Sequence, residues 1–191
     1  MNTQQDDYHI EQTLKGNVNA FSFLVEKYQQ MVYTLVVRIV KNEVDAEELS
    51  QDVFVKAFQK LDSFKGDAKF STWLYKIAYF ASLDAVKRKK RVVITDTIDD
   101  YSKSDLGSVK DALSYIHDNE RKQVINDALM RLNEDERIIL TLYYFEEQSL
   151  KEVAEVVNLT PDNVKIKLYR SRKKLFSLLK NVIEPRTIDL L

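Results

Sequence analysis

Residues 61–91 read LDSFKGDAKFSTWLYKIAYFASLDAVKRKKR, and the character of the fold turns on them. A short loop holds Gly66, the only glycine between Gly16 and Gly107. After it, apolar residues at 70, 73, 74, 77 and 81 recur at three- and four-residue spacing, the pattern of an amphipathic helix. The run carries the sole tryptophan, Trp73, with Phe70, Tyr75, Tyr79 and Phe80, and it ends in five consecutive cations, Lys87 to Arg91. Aromatics interleaved with cations suit single-stranded nucleic acid, because cations follow phosphates and rings stack on bases. The same residues also suit a core helix with a solvated basic end. The stretch alone leaves both readings open.

Working toward the N-terminus, the periodicity stays helical. Asp7 to Leu14 predicts a short helix stopped by Gly16 at a C-cap position. Asn17 or Asn19 can cap a longer helix whose apolar face is Phe21, Leu24, Val25, Tyr28, Val32, Leu35, Val36 and Ile39. Asn42 interrupts it. The next helix is expected to open at Asp45, with Glu48 three residues on as an acidic capping box. Its inner face is Leu49, Val53, Phe54, Ala57 and Leu61, with Glu47, Asp52, Lys56 and Lys60 outward. Residues 1–91 therefore read as one compact helical bundle.

Composition supports an all-α protein of ordinary globular balance. The 191 residues are 45% hydrophobic and 31% charged, with only 3 Gly and 2 Pro, too few for a many-stranded sheet. The absence of cysteine excludes disulfides and thiolate metal sites, and His9 and His117 stand isolated, so no metal or cofactor is expected. The N-terminus has neither a basic n-region nor an apolar h-region, and no apolar run has the length of a membrane span, so a soluble, cytoplasmic protein is expected. The net charge of -1 hides an uneven distribution: 85–91 and 163–174 are basic, while Asp96 to Glu120 holds seven acids against Lys103 and Lys110.

Between 92 and 118 apolar residues thin out and periodicity fades, which predicts a flexible acidic linker. A second small helical domain is expected over 119–180, followed by a tail at 181–191 with Pro185 as a breaker. A helix at 120–132 buries Val124, Ile125, Leu129 (or Ala128) and Leu132. Three start signals follow it: Asn133 with Glu136, Ser149 with Glu152, and Thr160 before Pro161 and Asp162. They announce helices at about 134–145, 150–157 and 161–179. Only Asn158, Leu159 and Thr160 separate the last two, which is the layout of a helix-turn-helix. Val164, Leu168, Ser171, Leu175 and Leu179 mark the buried stripe of the last helix. Six cations stand on its other faces: Lys165, Lys167, Arg170, Arg172, Lys173 and Lys174. Asp162, Asn163, Lys165, Ile166 and Lys167 would reach base edges, and Arg170 to Lys174 would reach phosphates.

Taken together, the runs DAEELSQDVFVKAFQKLDSFKGDAKFSTWLYKIA and SLKEVAEVVNLTPDNVKIKLYRSRKKL resemble the extracytoplasmic function (ECF) sigma factors of the sigma-70 superfamily. The similarity covers about 8–91 and 119–180. It implies that 1–91 is a sigma-2 domain binding core RNA polymerase and melting the −10 element. It implies that 119–180 is a sigma-4 domain reading the −35 element and resting on the β flap, with 92–118 threading toward the RNA exit path. The resemblance assigns Asp45, Glu47, Glu48, Gln51, Asp52, Phe54 and Lys56 to the β′ clamp helices. It assigns Phe64, Lys65, Lys69, Trp73, Lys76, Tyr79, Phe80, Lys87 and Arg88 to the −10 element, with one base flipped into a pocket near Phe64. Thr160, Asp162, Asn163, Lys165, Ile166, Lys167, Arg170, Arg172 and Lys173 fall to the −35 element. An anti-sigma factor is implied as a further partner, and a monomer when free.

The chain departs from the family pattern at Phe80, where Asn is common, at Asn163 for Thr, at Ile166 for a small polar residue and at Lys167 for Arg. Arg and Lys differ in fork geometry, so the −35 base contacts do not carry across. Phe80 is either core or a stacking platform, and its place at the edge of the stripe favours core. A free-standing helix-turn-helix regulator is the alternative function, but it leaves the aromatic-basic helix and acidic linker without a role. An enzyme is not expected, because no Gly-rich phosphate loop, metal-spaced His cluster or nucleophile elbow is present and no small-molecule substrate is implied.

Overall fold

The computed structural model describes residues 3–92 and 118–188, and among them every regular element is a helix. In chain order these are α1 (Thr3–Leu14), α2 (Asn19–Val40), α3 (Glu43–Gln59), a single 3₁₀ turn (Leu61–Ser63), α4 (Phe70–Val92), α5 (Asp118–Met130), α6 (Glu134–Leu140), a π turn (Thr141–Phe145), α7 (Leu150–Val157) and α8 (Pro161–Ile188). The expected linker lies outside the described residues except at its ends, which continue α4 and begin α5.

Helix α2 is the axis of the N-terminal bundle and packs against α1, α3 and α4. Its stripe is buried as the spacing predicts, with Leu24, Val32, Leu35 and Val36 fully inaccessible. Each such side chain contributes about 1.5–3 kcal/mol relative to exposure. The α1–α2 turn is a Schellman closure: Asn17 N–H donates to Gln12 C=O and Gly16 N–H to Thr13 C=O, both at 3.0 Å. Gly16 takes the left-handed position at φ 96°, where a side chain would be strained. A buried charge fixes α1 to α2. Asp6 is 4% exposed, pairs with Lys27 at 2.5 Å and accepts from the Tyr28 hydroxyl at 2.6 Å. Burial, reinforced by Asp6, pushes the Tyr28 phenol far above its ordinary range, so it remains a donor.

Several helix ends differ from expectation. Neither Asn17 nor Asn19 caps α2, because Val18 holds the N-cap position with a helical backbone and no side-chain bond. Helix α3 opens at Glu43 rather than Asp45. Lys41 turns left-handed at φ 58°, which leaves Asn42 extended, and its side chain accepts from Asp45 N–H at 3.0 Å. A neutral amide already in cap geometry satisfies that donor, so Asp45 falls inside the first turn. Helix α8 continues to Ile188, beyond the expected end at Leu179 and through Pro185. Proline's fixed φ of about −65° is compatible with a helical backbone.

Candidate nucleic-acid interface

Helix α4 sorts its aromatics by face. Phe70, Leu74, Tyr75, Ala78 and Tyr79 are buried, whereas Trp73 and Ile77 are only partly so. Phe64, on the loop before α4, packs its ring against Phe70 (5.6 Å between centroids) and Trp73 (5.4 Å), and Phe70 meets Trp73 at 5.5 Å. These three rings form a wedge at the start of α4, with Phe64 and Trp73 half open to solvent. Lys65 and Lys69 flank it, exposed; Lys76 lies half-exposed one turn on; Lys87 and Arg88 are exposed at the basic end. Gly66, at φ 78°, reverses the loop between Phe64 and Lys69.

Phe80 corrects the expectation of a core residue. It is 40% exposed and touches Tyr79 edge to face at 5.1 Å. Ala78 and Ala81 take the inner positions on either side, which turns residue 80 out to solvent. Tyr79 is the converse case. Expected to face nucleic acid, it is 5% exposed and donates its hydroxyl to Asp135 at 3.3 Å.

The helix-turn-helix forms as its start signals predict. Ser149 and Glu152 make a reciprocal capping box on α7, and Asn133 and Glu136 make one on α6. Asn158 ends α7 left-handed at φ 56°, and the Thr160 hydroxyl accepts from Asn163 N–H at 3.3 Å to start α8. Val164, Leu168 and Ser171 point inward, with Leu178 and Leu179 beyond. Thr160, Asp162, Asn163, Lys165, Ile166, Arg170, Arg172 and Lys173 are exposed. Lys167 is half-exposed and lies 3.5 Å from Asp135, and Lys174 pairs with Glu136 at 3.1 Å. Arg172 donates to the Tyr144 hydroxyl at 3.4 Å.

On α3, Glu47, Glu48, Gln51, Asp52 and Lys56 share the exposed face, while Asp45 is half-buried. Phe54 does not share it. At 8% exposure it belongs to the core, and it reaches the surface only as one wall of a groove of about 710 Å³ between α2 and α3. Asp45 forms an ion pair with Lys89, and a second groove joins Asp45, Glu48 and Asp52 to Arg88 and Lys89. The acidic face of α3 and the basic end of α4 are thus neighbours.

The two bundles meet along α4, where their buried apolar side chains join in one continuous cluster and several polar contacts accompany it. Lys69 pairs with Glu152 at 2.8 Å, the Tyr75 hydroxyl donates to Glu146 at 2.5 Å, and Thr72 donates to Gln148 at 3.4 Å. Arg38 lies over the Phe145 ring at 4.5 Å, and Lys41 donates to the Met130 carbonyl at 2.7 Å. Burial drives the Tyr75 phenol far above its ordinary range, and the bond to Glu146 adds to this; burial and then Asp135 do the same for Tyr79. Burial opposes ionisation of Glu152, but Lys69 and Ser149 outweigh it and hold the carboxyl below its usual range. Arg38 is lowered by burial. Sequence reading found neither these pairs nor Arg137, fully buried, which donates to the Leu132 carbonyl at 3.1 Å. Among the described residues no cluster of His, Asp or Glu is placed to hold a metal ion, and no helix is long and apolar enough to cross a membrane.

Comparison with known proteins follows the same division. Residues 24–92 match the family model for Sigma-70 region 2, and residues 122–175 match that for Sigma-70, region 4. Among curated relatives, the chain is 31% identical over 182 residues to the ECF RNA polymerase sigma factor SigW of Bacillus subtilis (strain 168), covering 91% of this chain and 96% of SigW. It is 32% identical over 181 residues to the RNA polymerase sigma-H factor of Pseudomonas aeruginosa, covering 90% and 92%. Among solved structures, CnrH in complex with the cytosolic domain of CnrY shares the fold at a TM-score of 0.67 and 24% identity, over 93% of this chain and 98% of that one. The sigma factor RpoE of Bartonella quintana, in complex with the anti-sigma factor NepR, does so at 0.64 and 20%, over 84% and 96%.

Proposed function

This chain belongs to the ECF family of RNA polymerase sigma factors, and from that premise we propose that it binds core RNA polymerase and directs promoter-specific transcription initiation in the cytoplasm. The observation that carries the proposal is the order of two surfaces in one chain. An aromatic wedge flanked by lysines heads α4, and a capped helix-turn-helix with a cationic outer helix follows it. A free-standing operator binder would use only the second.

In this reading the exposed acids of α3, Glu47, Glu48 and Asp52, with Gln51 and Lys56, engage the β′ clamp helices. Phe64, Trp73 and exposed Phe80 offer ring faces to the −10 element, while Lys65, Lys69, Lys76, Lys87 and Arg88 follow its phosphates. A base leaving the stack costs a few kcal/mol, which phosphate contacts and polymerase binding offset. The N-terminal turns of α8, from Thr160 to Lys167, read the −35 element, and Arg170, Arg172 and Lys173 hold its backbone. The C-terminal bundle rests on the β flap. An anti-sigma factor is proposed as the regulator, a role supported by relatives whose solved complexes contain one.

Run-off transcription with purified core polymerase on genomic fragments tests the function. Start sites that depend on this protein are expected. Their absence, together with specific operator binding by the protein alone, would replace the sigma reading with that of a free-standing regulator.

A further inference from the structure

We infer that Ile166, with Tyr169 beside it, makes α8 a reader of the C5-methyl group of one thymine in its target site. Among the described residues of α8, Ile166 and Tyr169 are the large apolar side chains left exposed, at 50% and 55%. Val164, Leu168 and Ser171 are buried on the inner side. At about 3.6 residues per turn, Ile166 falls on the opposite side of the helix. Tyr169, Arg170 and Lys173 follow it there, at spacings that share a face, and all three are exposed. Arg172 flanks the Tyr169 ring, 6.0 Å from its centre, and donates to the Tyr144 hydroxyl. The outer face of α8 thus carries an apolar spot framed by cations, soon after the capped start at Thr160.

The inference rests on the reading of α8 as the helix that enters the major groove, and it adds which base chemistry the helix selects. A lone exposed apolar residue is ordinary. A pair set among cations is different, because covering it against a polyanion requires an apolar element on that polyanion. In the major groove that element is the thymine C5-methyl, whereas the other groups that distinguish the bases are hydrogen-bond donors and acceptors. The Ile166 side chain can neither donate nor accept, so burying a polar base edge against it leaves that edge unpaired at a cost. Tyr169 supplies a ring to shield the methyl from water and a hydroxyl able to donate to a phosphate. Arg170 and Lys173 beside the spot favour a phosphate backbone over a protein partner.

The test uses the full chain with core polymerase on a promoter found by run-off transcription. Each thymine of its −35 region is replaced in turn by deoxyuridine, which pairs identically and lacks only the methyl. One replacement is expected to raise the template concentration for half-maximal run-off roughly fourfold, the worth of one methyl-sized group withdrawn from contact. Ile166→Ser should abolish that penalty, and Ile166→Val, which keeps an apolar side chain, should retain part of it. No penalty at any thymine overturns the inference, as does an undiminished penalty in Ile166→Ser. Weaker transcription by Ile166→Ser with the thymine penalty intact would assign Ile166 to a protein contact and also overturn it. If no start site depends on the protein, the sigma reading fails. The same deoxyuridine scan, on a duplex selected from random sequence by the full chain alone, then decides the thymine contact. Failure to select any duplex overturns that contact as well.

Discussion

Trp73 concentrates the question of whether aromatics on α4 serve packing or binding. It is half-buried, with ring contacts to Phe64 at 5.4 Å and Phe70 at 5.5 Å, so its truncation removes part of a cluster without opening the centre of the core. Fully buried aromatics cost about 3–5 kcal/mol when cut to alanine, and a half-open one costs correspondingly less. Trp73→Ala is therefore expected to leave core polymerase affinity within about twofold while reducing promoter opening by tenfold or more, since stacking on a base is worth about 1–3 kcal/mol. Permanganate reactivity of the melted bubble, set beside polymerase binding by the same variant, checks this. Equal losses in both would assign Trp73 to packing. Phe80 differs because its exposure comes from its place between Ala78 and Ala81. A stripe drawn at three- and four-residue spacing does not resolve which of two adjacent edge positions turns inward.

At the scale of the helix, the starts are where sequence was most informative. Ser149 with Glu152 and Thr160 with Pro161 bound α7 and the start of α8 as the sequence predicts, because a hydroxyl before an apolar run satisfies backbone donors in only one register. Asn133 is a third case, its side chain accepting from Glu136 N–H at 2.9 Å while the Glu136 carboxylate accepts from the Asn133 N–H at 3.3 Å. Asn133→Ala should cost about 1 kcal/mol in urea unfolding, whereas Asn19→Ala, which removes no cap, should cost less than about 0.5 kcal/mol. Equal costs would mean that the box contributes nothing beyond propensity. Less legible was the stretch after Leu140. Periodicity predicts one helix to Phe145, but the last turn widens to a π turn in which Glu146 N–H donates to Thr141 C=O at 3.1 Å. That extra residue per turn accompanies the placement of Phe145 under Arg38 and of Glu146 at Tyr75. The pairings of Tyr75 with Glu146 and Tyr79 with Asp135 join residues 71 and 56 positions apart. Local pattern carries no information about contacts at such separation, so the two surfaces could be read but their closure could not.

For the whole molecule, the two bundles share one continuous cluster of buried apolar side chains. Leu24, Val32 and Leu74 lie in the first and Ile138, Leu142 and Val164 in the second, all inaccessible to solvent. Bundles of this size can unfold separately, and among the described residues the contacts along α4 and α2 bind them into one cooperative unit. The sole tryptophan reports on the first bundle, while far-ultraviolet circular dichroism reports on all helices. In the wild-type chain the two probes should therefore give coincident urea transitions with a single m-value. In the chain carrying Asp135→Asn and Glu146→Gln they should separate, with a smaller apparent m-value for the tryptophan transition, because less surface is exposed in each step. The substitutions lie at the contact between the bundles, so the first bundle alone should still unfold cooperatively. Non-coincident transitions already present in the wild type would show that the bundles are thermodynamically independent.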